Sequence, residues 1–190
     1  MKLHSAIVDD ALTDFDRARR WADAATFGDV LSPVDGVTYP GICADVPLLI
    51  REQMIDIASI ATGEPLTCNF SFARLSLAGV AVPHQAHNDA TMGRYSMMLY
   101  LNRPEHCVGG TEIVRHVVHG MDHGPQNDCE LAAWELDHSQ PEQWEVAGGA
   151  KMRANRAFVF DAALMHRAAP IGGFGSTQFD GRLVLTGFYS

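Results

Sequence analysis

The chain has 190 residues, 47% of them hydrophobic, which suits one domain with a sizeable core. A formal net charge of −9 disfavours nucleic acid or an anionic membrane surface as a partner. The four cysteines are scattered without a C-x-x-C motif, and scattered free thiols suit a reducing cytoplasm. We see neither a signal-peptide pattern nor an apolar run long enough to span a membrane, so we expect a cytoplasmic protein without a membrane span.

The first third of the chain has helical patterns. Apolar residues recur at helical spacing from Phe15 to Ala25 and predict a helix that ends near Thr26. The glycine- and proline-containing segment 27–44 predicts a loop. A wide apolar face over residues 46–62 predicts a second helix, which Gly63 would end. We therefore interpret residues 1–65 as a helical flank.

From Leu66 the apolar period changes from that of a helix to that of a strand. Strands are predicted at Cys68–Leu77, Arg94–Asn102, Thr111–Val114, Ala157–Phe160 and Leu183–Phe188. Helices followed by short strands with glycine-rich turns favour a mainly β fold with flanking helices, of the α+β class. Its core would be an antiparallel barrel or jelly roll. We treat residues 1–190 as a single domain whose core, residues 66–190, carries a polar, histidine-rich insertion at about 115–150.

A His-x-Asp triplet, His87-Asn88-Asp89, precedes the second of these strands. In an extended segment the side chains of His87 and Asp89 point to the same side, so both can bind one metal ion. His166, which follows the strand Ala157–Phe160, can supply a third ligand. Two histidines and one carboxylate form the facial triad of non-haem iron oxygenases, which leaves coordination positions open for substrates. His84 differs in parity from Asp89 and is a candidate hydrogen-bond partner of the site or substrate contact.

The last predicted strand is preceded by Arg182, whose guanidinium can bind a carboxylate in bidentate fashion. Thr186 shares the face of Arg182, and Tyr100 offers a phenol from a neighbouring strand. Together they would form a pocket for a dicarboxylic acid. Arg74 and Arg94 are candidate substrate contacts, with a surface role as the alternative.

The segment from about His84 to Tyr189 resembles the iron(II)- and 2-oxoglutarate-dependent dioxygenases, particularly their prolyl-hydroxylase-like branch. The resemblance rests on an ordered set of pieces: His87-Asn88-Asp89, Tyr100-Leu101-Asn102, Gly109-Gly110-Thr111-Glu112, Phe158-Val159-Phe160 before His166, and Arg182 with Thr186. It implies a double-stranded β-helix (jelly roll) and Fe(II) bound by the two histidines and the aspartate. It also implies 2-oxoglutarate on Arg182, helped by Tyr100 and Thr186, and O₂ as the oxidant, with no catalytic residue beyond the metal ligands.

Two alternatives stay open: a cupin-like metalloenzyme that does not use 2-oxoglutarate, and a non-catalytic jelly-roll binding protein. The predicted substrate is a small molecule or an amino-acid or peptide side chain, and the sequence leaves the oligomeric state undetermined. The remaining histidines of the region are predicted to be solvated loop residues rather than ligands: His106, His116, His119, His123 and His138.

Overall fold

The computed structural model describes residues 5–34, 36–83 and 85–190, so His84 lies outside the described residues. In chain order the described elements are β1 (Ser5–Val8), α1 (Phe15–Ala24), β2 (Gly28–Leu31), β3 (Thr38–Cys43), α2 (Leu48–Thr62), β4 (Cys68–Ser76), β5 (Tyr95–Tyr100), β6 (Gly110–His116), α3 (Asp128–Asp137), β7 (Trp144–Lys151), β8 (Ala157–Asp161), β9 (His166–Ala169) and β10 (Arg182–Tyr189). Short 3-10 helices precede β6 and β7, at Pro104–His106 and Pro141–Gln143.

The strands form two antiparallel sheets. The larger sheet has the order β1-β8-β5-β10-β4-β3-β2, and the smaller one has the order β7-β6-β9. Side chains from both sheets pack together between them, with Phe158 and Phe160 of β8 against Ile113 of β6 and Ala150 of β7. This is the jelly roll that the sequence predicts, with its interior between the sheets.

Strand alternation gives the larger sheet two different faces. Leu183, Leu185 and Tyr189 of β10 belong to the principal core cluster, which also contains buried residues of α1 and α2 such as Ala22 and Met54. Arg182, Val184 and Thr186 of the same strand take the opposite parity and face the interior. The helices therefore cover one face, and polar groups are carried on the other.

Both predicted helices are present, and local chemistry explains their ends. Helix α1 begins after Asp14, whose side chain accepts a hydrogen bond from the backbone N–H of Arg17 at 2.9 Å. Helix α2 ends at Gly63, which has a left-handed φ of 75°. None of the described helices is long and apolar enough to cross a membrane.

The structure differs from the sequence interpretation of residues 1–65 and of the insertion. Residues 1–65 are more than a helical flank: beside β1, which the short segment Ala6–Val8 predicts, they contribute β2 and β3 to the larger sheet. Segment 27–44 was predicted as a loop because Pro40 and Gly41 usually interrupt strands. Both are tolerated in β3, which pairs with β4 over only two residue pairs. A Cβ at Gly41 would collide with the carbonyl oxygen of Leu75, so glycine permits this close approach.

The second difference concerns the insertion predicted at about 115–150. Its last part forms β7, which pairs along the length of β6. The excursion between these strands is therefore shorter than predicted, and it contains helix α3.

Candidate metal centre

The three predicted metal ligands lie together at one end of the jelly roll. His87 and His166 form an antiparallel bridge, in which each backbone N–H donates to the other's carbonyl oxygen at 3.0 and 2.8 Å. The N–H of Asp89 donates to the carbonyl oxygen of Ala162 at 2.7 Å. The His-x-Asp segment is thus held beside the start of β9, and one potential ligand atom from each of the three side chains lies within 4.8 Å of the others.

Backbone carbonyl groups orient both imidazoles. Nδ1 of His87 lies 3.2 Å from the carbonyl oxygen of Gln85, and Nδ1 of His166 lies 3.0 Å from that of Leu164. These contacts require a proton on Nδ1 and leave Nε2 of each ring facing Asp89. Burial opposes the charge on His166, but the Asp89 carboxylate raises its pKa above the ordinary value, so His166 favours the protonated form beside Asp89. The two Nε2 atoms lie 3.9 Å (His87) and 3.3 Å (His166) from the carboxylate oxygens of Asp89.

The carboxylate is also positioned from outside the triad. Ser96, an inward-facing residue of β5, donates its hydroxyl to Oδ2 of Asp89 at 2.9 Å. Burial opposes the charge on Asp89, but His166, the neighbouring His87 and this hydroxyl bring its pKa to about 2. Burial and then the nearby His166 lower the pKa of His87 to about 4. Asp89 is therefore anionic and His87 neutral at physiological pH, the forms that bind a divalent metal.

Arg182 lies at the other end of the pocket and is 4% exposed. Its Nη2 donates to the carbonyl oxygen of Gly110 at 3.3 Å and lies 3.5 Å from Oγ1 of Thr111, while its Nε is buried without a hydrogen-bond partner in the described structure. Burial lowers the pKa of Arg182 to about 10, so it keeps its charge at neutral pH. The hydroxyl of Tyr100 donates to the same Thr111 Oγ1 at 3.0 Å. Arg182 and Tyr100 are thus linked through Thr111.

The structure places the other predicted site residues as follows. Thr186 faces the interior, and its hydroxyl lies 3.5 Å from the sulfur of Met98. Arg74 of β4 lines a narrow pocket together with His87 and Arg182. Arg94 instead pairs with Glu64 at 2.8 Å, after the end of α2.

The excursion between β6 and β7 packs against both ligand-bearing segments. The indole of Trp134 donates to the carbonyl oxygen of Ala86 at 2.9 Å, and the N–H of Ala86 donates to the carbonyl oxygen of His138 at 2.9 Å. On the other side, the N–H of Gly124 donates to Ala163 at 2.9 Å and that of Met165 to Asp122 at 2.8 Å. A Cβ at Gly124 would lie 2.8 Å from the side chain of Asn88. The excursion therefore supports the residues next to His87 and His166.

His116 corrects one prediction about this region. It is 1% exposed rather than solvated, because it ends β6, pairs with Asp137 at 3.0 Å and packs edge-on against Trp144. The sequence held a signal for this burial, because His116 shares the strand parity of Val114 two residues earlier.

Sequence reasoning missed three residues that support the site: Ser96, Thr111 and Trp134. A signal existed for Ser96, because it shares the inward parity of Tyr100 four residues later on β5. Thr111 belongs to the Gly109-Gly110-Thr111-Glu112 motif, but its contact with Tyr100 and Arg182 depends on how the two sheets face each other. The contact of Trp134 with Ala86 spans 48 residues and left no periodic signal.

Comparison with known proteins begins with a family model. The model of a family of unknown function (DUF6445) matches residues 2–189. The chain therefore belongs to this family. No curated protein sequence matches the chain.

Solved structures with similar folds are numerous. AviO1 from Streptomyces viridochromogenes Tue57 has a TM-score of 0.62 at 16% identity, over 100% of this chain and 90% of that one. The non-haem alpha-ketoglutarate-dependent epimerase SnoN from nogalamycin biosynthesis has a TM-score of 0.62 at 18% identity, over 99% and 78%. EctD from S. alaskensis, solved with bound Fe, has a TM-score of 0.58 at 15% identity, over 100% and 73%. At these identities the likeness is one of fold.

Proposed function

We propose that this protein is an Fe(II)- and 2-oxoglutarate-dependent oxygenase that hydroxylates a C–H bond of a small molecule or an amino-acid or peptide side chain. The observation that carries this proposal is the convergence of His87, Asp89 and His166, with both Nε2 atoms facing one carboxylate. Its place in the prolyl-hydroxylase-like branch stays a prediction from the sequence.

The residues present fit a divalent metal ion. Nε2 of His166 is fully buried and makes no well-aligned hydrogen bond among the described residues, although Oδ2 of Asp89 lies 3.3 Å away. A buried polar atom without a partner is costly, and a metal ion would satisfy it. Two imidazoles and one carboxylate are ligands that suit non-haem Fe(II), and a bound metal ion would displace the proton from Nε2 of His166. His87, Asp89 and His166 would hold the ion, and Ser96 would keep the carboxylate in place.

The residues around Arg182 fit the distal carboxylate of 2-oxoglutarate. A buried guanidinium with an unpartnered Nε, and without a carboxylate partner in the described structure, can make charge-assisted hydrogen bonds to such a group. Burial raises the pKa of Tyr100, which therefore remains a neutral phenol able to donate a hydrogen bond. Thr111 joins the two residues, and Thr186 lies on the Arg182 face of β10, nearer the strand's C-terminal end.

When bound, Fe(II) and 2-oxoglutarate would activate O₂ and oxidise the substrate, while 2-oxoglutarate is converted to succinate and CO₂. The protein's own residues contribute binding, orientation and exclusion of water. The cosubstrate would be bound at Arg182, and Phe160, whose ring lies 4.8 Å from that of His166, makes one wall of the site apolar.

Two measurements on the purified protein test the proposal: the stoichiometry of Fe(II) binding by calorimetry under argon, and conversion of 2-oxoglutarate to succinate. We expect one metal per chain and succinate formation in the wild type, and loss of both in His87→Ala, Asp89→Ala and His166→Ala. His123→Ala is the matched control, because His123 also contacts an aspartate, Asp122, but lies outside the triad.

The outcomes separate the alternatives. Metal binding by the triad without any effect of 2-oxoglutarate on the bound metal's spectrum would favour a cupin-like enzyme. Absence of stoichiometric metal binding would favour a non-catalytic protein. Arg182→Ala should chiefly raise the KM for 2-oxoglutarate, and an unchanged KM would place the carboxylate site elsewhere.

A further inference from the structure

A second cationic side chain faces the pocket between the triad and Arg182. Arg74 lies on β4, directly opposite Val184 of β10, so it shares the inward face with Arg182. Its guanidinium carbon lies 5.6 Å from the ring centroid of Tyr39, which covers one side of it. Arg74 also lines the pocket, together with His87 and Arg182.

Arg74, which is half-buried, lacks the carboxylate contact that two more deeply buried arginines have. Arg19 and Arg167 are buried, and each pairs with a carboxylate, on Asp23 at 2.6 Å and on Glu112 at 2.8 Å. Among the described residues no acidic group lies within ion-pair distance of Arg74, although the charge of Asp89 acts on it from farther away, and its Nε is buried without a hydrogen-bond partner. A desolvated charge without a counter-ion is unfavourable, and such groups concentrate at binding sites.

Charge balance argues that the missing counter-ion is not the cosubstrate. A dianionic 2-oxoglutarate, Fe(II), Asp89 and the Arg182 guanidinium together carry no net charge. Arg74 then leaves one positive charge in a narrow pocket. A monoanionic group on the substrate would neutralise it.

We propose, building on the proposed function, that Arg74 is a substrate-binding residue and that the substrate is a small carboxylic acid whose carboxylate pairs with Arg74. The unpartnered Oε1 of Gln85, which lines the same pocket, would accept a hydrogen bond from an N–H or O–H group beside that carboxylate. The substrate is then held by its acid group next to the metal ligands, which selects acids over neutral compounds of the same shape.

The test uses acetate as the probe and acetamide as its neutral isostere. The full-length protein is loaded with Zn²⁺, which is redox-inert, and saturated with 2-oxoglutarate so that the other anion site is filled. Acetate and acetamide are titrated at constant ionic strength, and binding is measured by thermal shift and by calorimetry. We expect acetate, but not acetamide, to stabilise the wild type.

Variants assign the effect to one residue. Arg74→Gln should weaken acetate binding by about tenfold or more, since it removes a charge-assisted hydrogen bond, and Arg74→Lys should restore part of the affinity. Arg94→Gln, which removes a partly exposed arginine that pairs with Glu64, should bind acetate as the wild type does. The Kd for 2-oxoglutarate should stay within about twofold in Arg74→Gln and rise in Arg182→Gln.

Three outcomes would overturn the proposal: no acetate effect in the wild type, an undiminished effect in Arg74→Gln, or weaker 2-oxoglutarate binding in Arg74→Gln. The last outcome would mean that both arginines hold one dicarboxylate. The same titration on metal-free Arg182→Gln, in which the other anion site is removed, reads the Arg74 site independently of metal and 2-oxoglutarate. Failure of the proposed function therefore remains distinguishable from failure of this inference.

Discussion

Trp134→Phe tests whether the excursion between β6 and β7 positions a metal ligand. The variant keeps an aromatic ring but removes the indole N–H that donates to the carbonyl oxygen of Ala86 at 2.9 Å. Ala86 is itself fully buried and directly precedes His87. Loss of the bond leaves a buried carbonyl group with one partner fewer, and it loosens the backbone that presents the imidazole.

The expected magnitude follows from one hydrogen bond. A net contribution of about 1 kcal/mol corresponds to roughly a fivefold change in an equilibrium constant. Under the proposed function the metal binds only the conformation in which His87 faces Asp89 and His166, so this factor is the upper limit of the change in metal affinity. We expect the Kd for Co²⁺ or Ni²⁺ to rise by up to about fivefold, measured by calorimetry under conditions where the variant remains folded.

Trp144→Phe is the matched control. Its indole N–H donates to the carbonyl oxygen of Asp137 at 2.8 Å, so the variant loses an equivalent hydrogen bond at the end of α3. It should lower the melting temperature at least as much as Trp134→Phe while leaving metal affinity unchanged. Equal metal affinities in Trp134→Phe and the wild type, or equal losses in both variants, would refute the positioning role.

Three further predictions concern the proposed cosubstrate pocket, the Asn155 turn and the loop before β10. Thr111→Val removes the hydroxyl that accepts a hydrogen bond from Tyr100. The loss of about 1 kcal/mol should weaken 2-oxoglutarate binding by the Zn²⁺-loaded protein about fivefold, measured by calorimetry. Unchanged affinity would contradict the link through Thr111. Asn155→Ala removes two hydrogen bonds to the backbone of Leu12 at 2.8 and 3.0 Å and places alanine at a φ of 58°. Urea unfolding should show that the free energy of unfolding falls by about 2 to 4 kcal/mol, and by less in Asn155→Gly, because glycine adopts this φ without strain. The Thr177 hydroxyl and backbone N–H groups lower the pKa of Asp180 to about 2. A carboxyl group whose pKa is lower in the folded than in the unfolded chain stabilises the fold at higher pH, so this contribution is lost as the pH falls from about 4 toward 2. An Asp180 pKa of about 4 measured by NMR would disprove it.

The general fold was readable from the sequence because periodicity reports which face of an element is buried. The change from helical to strand period near Leu66 and the stop signal at Gly63 were both confirmed by the structure. Strands β2 and β3 were not predicted, because Pro40 and Gly41 carry strong breaker signals. The structure shows that Pro40 and Gly41 lie outside the two residue pairs that join β3 to β4.

The candidate ligands were also readable, because the parity of His87 and Asp89 along an extended chain is a local property. What the sequence alone determined about this protein is therefore its jelly-roll class, the His-x-Asp pair and the face of β10 that carries Arg182. The tertiary structure decided the rest: the bridge between His87 and His166, the contact through Thr111, and the position of Arg74 beside the pocket. These are contacts between residues distant in sequence, and they depend on strand register and on how the two sheets face each other, which local patterns do not encode.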